Sequence, residues 1–112
     1  MSGYEIFKKA ILRLGYDGAL NKSFDERSLE LLNQIASDLK LPIIENLVQP
    51  LLLTPEQNEA LCCGLAMLLA LSEGDAEKNE IFANIYNSKR AALLSEQQKI
   101  QDVLPGMAGG EA

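Results

Sequence analysis

Apolar residues recur at helical spacing near the start of the chain. Ile6, Phe7, Ala10, Ile11 and Leu14 alternate with Glu5, Lys8, Lys9 and Arg13. This pattern predicts an amphipathic helix over Tyr4–Leu14. Ser2 followed by Glu5 has the form of a capping box, and Gly15 suits a left-handed helix end. Tyr16–Ser23 is a connection with Asp17-Gly18 as its turn signal. Ser23 and Glu26 form a second capping-box pattern ahead of a helix over about Phe24–Lys40. Its stripe is Leu29, Leu32, Ile35, Ala36 and Leu39, with Leu31 off the stripe, and Pro42 stops it. The stretch from Leu41 to Leu53, LPIIENLVQPLLL, is too apolar for a free loop and too broken by Pro42 and Pro50 for a long helix. Two readings stay open. The stretch lies across the core, with one helical turn at Glu45–Val48, or part of it packs on another subunit.

Thr54-Pro55-Glu56-Gln57 combines an N-cap, a proline at the first helical position and the glutamine of a capping box. The helix it opens runs to about Ser72. From Ala60 to Leu71 that helix carries no polar side chain, so neighbours must surround it, and Gly64 permits close approach of one of them. Glu73-Gly74-Asp75 breaks the chain: Gly74 suits a left-handed cap and Asp75 an N-cap. A fourth helix follows over about Ala76–Leu94. Ile81, Phe82, Ile85, Tyr86, Lys89, Ala92 and Leu93 share its broad face, and the short break implies antiparallel packing on the third helix. Ser95-Glu96-Gln97-Gln98 has the form of a cap for a short fifth helix to about Val103, with Ile100, Val103 and Leu104 on one side. This segment either folds back or orders on a partner. Pro105-Gly106 ends it, and disorder is expected from Met107 on. The expected architecture is all-α: a small antiparallel bundle of four helices over residues 1–94, then a tail over 95–112.

Composition narrows the chemistry. The chain has 112 residues, no histidine and no tryptophan. Without histidine, Ser-His-Asp and Cys-His catalysis and most zinc sites are excluded. Cys62 and Cys63 are adjacent in an apolar run and read as reduced core residues. Asp25/Glu26 and Glu77/Glu80 are close carboxylate pairs, but both sit at helix starts, where acids suit the helix dipole. No glycine-rich phosphate loop or calcium loop is present. No cofactor, metal or catalytic site is expected. The net charge of −6 is uneven: residues 1–53 carry six basic and seven acidic groups, residues 54–112 four and nine. Lys8-Lys9 and Lys89-Arg90 are the only basic clusters, and Arg27 belongs to no basic face, so specific DNA binding is not expected. No secretion signal and no membrane-length apolar run are visible, and a cytoplasmic location is the default expectation.

From Leu61 onward the features follow a particular order. A glycine-containing apolar helix (ALCCGLAMLLALSEGD) turns into a helix with an aromatic pair and a basic end (NEIFANIYNSKRAAL), then a tail with VLPG. Ahead of them stand IFKKAILRLGY and the broken apolar connection. This order resembles the small helical adaptor proteins of tailed phages and prophages, the head–tail connectors that sit under the portal. The resemblance covers roughly residues 4–105, and Gly64–Arg90 is its most telling part. It implies a non-enzymatic virion protein, present in the bacterial cytoplasm during assembly. It would form a ring on the portal, extend the DNA channel and meet a neck or tail component, with DNA only passing through. Ring contacts would join two different patches. The residues expected there are Ile43, Ile44, Leu47 and Val48 on one side and Tyr86, Lys89 and Arg90 on the other, with Ile100, Val103 and Leu104 in the tail. The alternative is a small acidic regulatory module that binds a single partner protein.

Overall fold

The computed structural model describes the backbone of residues 1–15 and 26–103, and the side chains of residues 1–15 and 28–96. Four helices make an all-α fold: α1 (Gly3–Leu14), α2 (Glu26–Asp38), α3 (Pro55–Ser72) and α4 (Ala76–Val103). The expected connection at Tyr16–Ser23, the Ser23 cap, and the chain from Leu104 on lie outside the described residues.

Helix α3 is the hub, packing against α1, α2 and α4. Its residues Ala60–Ala66 and Ala70 are all buried. Neighbours cover it because a helix apolar on every face has no side to give to water. At Gly64 the neighbours come close. A Cβ there would stand 2.6 Å from Ile35 Cγ2 on α2 and 3.0 Å from Tyr86 Cε1 on α4. Helices α3 and α4 run antiparallel: Asn79 bonds to the Met67 carbonyl, Tyr86 closes on Gly64, and Pro55 lines one cavity with Leu93. Leu71, at the end of α3, is exposed.

The helix ends follow local chemistry. Ser2 and Glu5 close a capping box on α1, and Gly15 ends it at φ 76°. Thr54 and Gln57 close another on α3, with Pro55 at the first helical position. At the far end of α3, Asp75 N–H bonds to the Ala70 carbonyl and Gly74 N–H to the Leu71 carbonyl, with Gly74 at φ 73°. Asp75 then caps α4 by accepting from Lys78 N–H. Helix α2 ends in the same double-bonded motif, Leu41 N–H to Ala36 and Lys40 N–H to Ser37. Here the left-handed position, usually a glycine, is Lys40 at φ 61°. The helix therefore stops at Asp38, ahead of the proline expected to stop it.

Two expectations are corrected. First, no break occurs at Ser95. Helix α4 runs on through Val103, so the helical stretch expected to about Val103 is continuous with α4 and is not a separate fifth helix. Ser95 with Gln98 matches a capping box in letters, but a cap needs extended backbone before it. Nothing from Ala76 to Val103 is glycine or proline, so the helix propagates. Second, Leu41–Leu53 contains no helix; the chain makes a single turn at Leu47–Val48 and bends at Gln49, later than the turn expected at Glu45–Val48. It crosses the bundle in extended form, pairing with the start of the chain through Ser2 and Pro50.

Two substitutions test this packing. Gly64→Ala should gain helix propensity yet lose net stability by about 1–2 kcal/mol, because Ile35 is β-branched and cannot swing away. Lys40→Gly should raise stability by about 1 kcal/mol by relieving the left-handed strain. Urea unfolding of both variants measures each sign.

Candidate interaction surface

The apolar connection is fastened at several points. Asn33, on α2, spends its whole amide on one residue: Nδ2 donates to the Ile44 carbonyl at 2.8 Å, and Oδ1 accepts from Ile44 N–H at 2.8 Å. Tyr4 N–H bonds to the Leu47 carbonyl at 2.8 Å, and Leu51 N–H to the Met1 carbonyl at 3.0 Å. Within the bend, Asn46 Oδ1 accepts from Val48 and Gln49 N–H, and Gln49 Oε1 accepts from Glu45 and Asn46 N–H. Ile44 and Leu51 are buried, and Leu41, Leu47 and Leu53 pack on the core. Their neighbours face outward: Ile43 and Val48 are each 78% exposed and Leu52 is 97% exposed. Both readings of this stretch thus keep a basis. It lies across the core, and it also leaves three large aliphatic side chains in solvent.

This face extends onto α1. Met1, Tyr4, Val48 and Pro50 line a shallow groove with Glu5 and Lys8 at its rim. Lys8 Nζ lies over the Tyr4 ring, 5.4 Å from its centre. One helical turn beyond Lys8, Leu12 is also exposed.

The expected second patch is not built as foreseen. Tyr86 is buried, and its hydroxyl donates to Asp38 Oδ2 at the end of α2. Arg90, one turn on, holds its Nε 2.9 Å from the same oxygen; the pair is at ion-pair distance but not aligned as a hydrogen bond. Tyr86 and Arg90 therefore fasten α4 to α2. Burial first, and the bond to Asp38 second, push the Tyr86 hydroxyl well above the usual tyrosine range. Lys89 is half-buried and stands in electrostatic reach of Glu59. Ile44 is likewise core and not surface, because Asn33 turns its backbone inward. Of the first patch, Ile43 and Val48 are presented and Leu47 is half-buried. The side chains of Ile100 and Val103, and all of Leu104, lie outside the described residues.

In place of Tyr86 and Arg90, α4 exposes Ile81 and Ile85. Glu77 and Glu80 flank them, both solvent-facing. The sequence put Ile81, Phe82, Ile85 and Tyr86 on one broad face. The rotation of α4 turns Phe82 and Tyr86 toward the core and leaves the isoleucines outside. Leu12 and Leu52 carried no separate signal in the sequence.

Between α1 and α3, Arg13 grips Glu59 with both guanidinium ends, one of them at 2.9 Å, and Lys9 adds a contact at 3.8 Å. Arg13 Nη1 also lies 3.8 Å from Cys63 Sγ. The Arg13 bond holds the Glu59 carboxyl below its ordinary value of 4.5. Burial pushes the Cys62 thiol up to about 11, and Cys63 also upward. Both thiols are thus protonated and buried, the opposite of a reactive cysteine. Among the described residues no group of three or more His, Cys, Asp or Glu is placed to hold a metal ion, and no helix is long and apolar enough to cross a membrane.

No family model matches the sequence, and no curated protein or solved structure matches it.

A carboxyl whose folded pKa is depressed contributes stability above its unfolded pKa and loses it as pH falls through the folded value. Wild-type stability should therefore fall as the pH drops below about 4.5. Glu59→Gln should be less stable at pH 7 and show a shallower acid limb. Urea midpoints between neutral pH and pH 3 compare the two.

Proposed function

We propose that the chain is a non-enzymatic structural subunit that joins copies of itself, in the manner of a head–tail connector of a tailed phage or prophage. The observation that carries this reading is the 41–53 connection. It is held to α1 and α2 by backbone and amide bonds while Ile43, Val48 and Leu52 stand in water. A loose loop would collapse such residues onto its own core. A fastened one keeps them available at little ordering cost on binding. The order of features from Leu61 to the tail, resembling the connector family, supports the finer assignment: a ring beneath the portal, met on its far side by a neck or tail component. The net charge of −6 suits a channel through which DNA slides, since a strongly basic wall would hold the phosphates. In this reading the protein works in the virion and is found in the bacterial cytoplasm during assembly.

Light scattering over a wide concentration range, with micrographs of the largest species, tests the reading. The expected result is a closed ring of many subunits. A chain that stays monomeric at every concentration, or stops at a two-fold dimer, contradicts it. A stable 1:1 complex with one other protein would instead indicate a regulatory module.

A further inference from the structure

We propose that the first turn of α1 is a latch on the 41–53 connection, with Gly3 as its seat. The latch and the Leu47–Leu51 limb of the connection open and close as one unit while α3 stays folded. The latch belongs to the single chain and works the same whether or not copies assemble.

The start of a helix leaves its first backbone N–H groups without partners inside the helix. In α1 the capping box takes two of them. Ser2 N–H donates to Glu5 Oε1 at 2.8 Å, and Glu5 N–H donates to Ser2 Oγ at 3.3 Å. A third, Tyr4 N–H, donates to the Leu47 carbonyl at 2.8 Å. The connection thus completes the cap of α1. The support is returned, because Leu51 N–H donates to the Met1 carbonyl at 3.0 Å and Ser2 pairs with Pro50. The two limbs of the connection are therefore held from different places. Asn33 of α2 holds Ile44, and residues 1–4 hold Leu47–Leu51. If the first turn lifts, Tyr4 loses its acceptor and Leu51 loses its own in the same event.

Gly3 lets the two sides meet. It is buried, and a Cβ there would stand 2.6 Å from Leu32 Cδ2 on α2 and 3.4 Å from Leu47 Cδ2. Leu32 is itself fully buried, so it has little room to turn away. Among the described residues the glycines with positive φ are Gly15 and Gly74. The backbone at residue 3 therefore does not require glycine; the space does. The far end of α1 is pinned separately, by Arg13 on Glu59 and by Lys78 on the Leu14 carbonyl. The first turn can thus lift without release of the whole helix. Seated, it fixes the limb with Val48 outward and Leu51 buried. Lifted, it frees that limb, which makes the start of α1 a control point for the exposed apolar face.

Amide exchange on the full chain, followed residue by residue as urea is raised below the unfolding transition, tests the latch. In the wild type, Tyr4 and Leu51 N–H should share one opening free energy and one urea dependence. Both values should be lower than those of Leu61 and Leu65 in α3. Gly3→Val should speed exchange at Tyr4 and Leu51 about tenfold and leave Leu61 and Leu65 unchanged. Leu47→Ala, which alters no residue of α1, should speed the same two amides by a common factor. Thermal unfolding by circular dichroism checks each fold; should Gly3→Val not fold, the wild-type series and Leu47→Ala carry the test. Tyr4 and Leu51 opening at different free energies in the wild type would overturn the latch. So would Leu47→Ala speeding Leu51 alone, or all four amides exchanging only through global unfolding.

Discussion

Helix α3 has no polar face over the span from Ala60 to Ala70, and that constraint organises the molecule. Such a segment is stable only if other elements cover most of it, and α1, α2 and α4 bury Ala60–Ala66 and Ala70 and partly cover Met67–Leu69. Gly64 sets how near they come, because the missing side chain is the space that Ile35 and Tyr86 occupy. Apolar packing of this kind brings elements together but is non-directional. Direction comes from polar fasteners at the rim. Arg13–Glu59 ties α1 to α3, Tyr86–Asp38–Arg90 ties α4 to α2, and Lys78 with the Leu14 carbonyl ties α4 to α1. The exposed ion pairs among them contribute little energy. The buried Tyr86 hydroxyl matters more, because a polar group in that position needs its partner.

The same constraint explains the surface. Three helices and α3 already fill the core, so the apolar residues of the 41–53 connection exceed the room available. Ile44 and Leu51 take the places that remain. Asn33 and the start of the chain then fix the connection with Ile43, Val48 and Leu52 pointing away. An exposed apolar set held this rigidly loses little freedom when it binds, which separates a docking face from a loop that merely contains hydrophobic residues.

Much of this was legible in the residues. The capping boxes at Ser2 and Thr54, the ends at Gly15 and Gly74, the Asp75 cap and the close approach at Gly64 each rest on one local requirement that a particular residue type meets. Other features had no such signature. The left-handed end of α2 falls on Lys40, a residue that does not advertise it. Ser95 and Gln98 spell a cap, yet the chain before them is already helical, and letters alone do not show that. The candidate surface was half legible. Ile43 and Val48 stand where the apolar connection suggested. On α4 the sequence shows one broad apolar face, and which side of it is buried depends on the rotation that Asp38 and Gly64 impose from other helices.

The central claim is that the 41–53 connection is a built, fixed face and not a flexible strap. Amide hydrogen exchange on dilute full-length protein tests it most directly, through the N–H groups of Tyr4, Ile44 and Leu51. Bound as described, they should exchange far more slowly than in an unstructured peptide, even where the chain is dispersed as single copies. Exchange at the unstructured rate, with protection confined to the helices, would contradict the account.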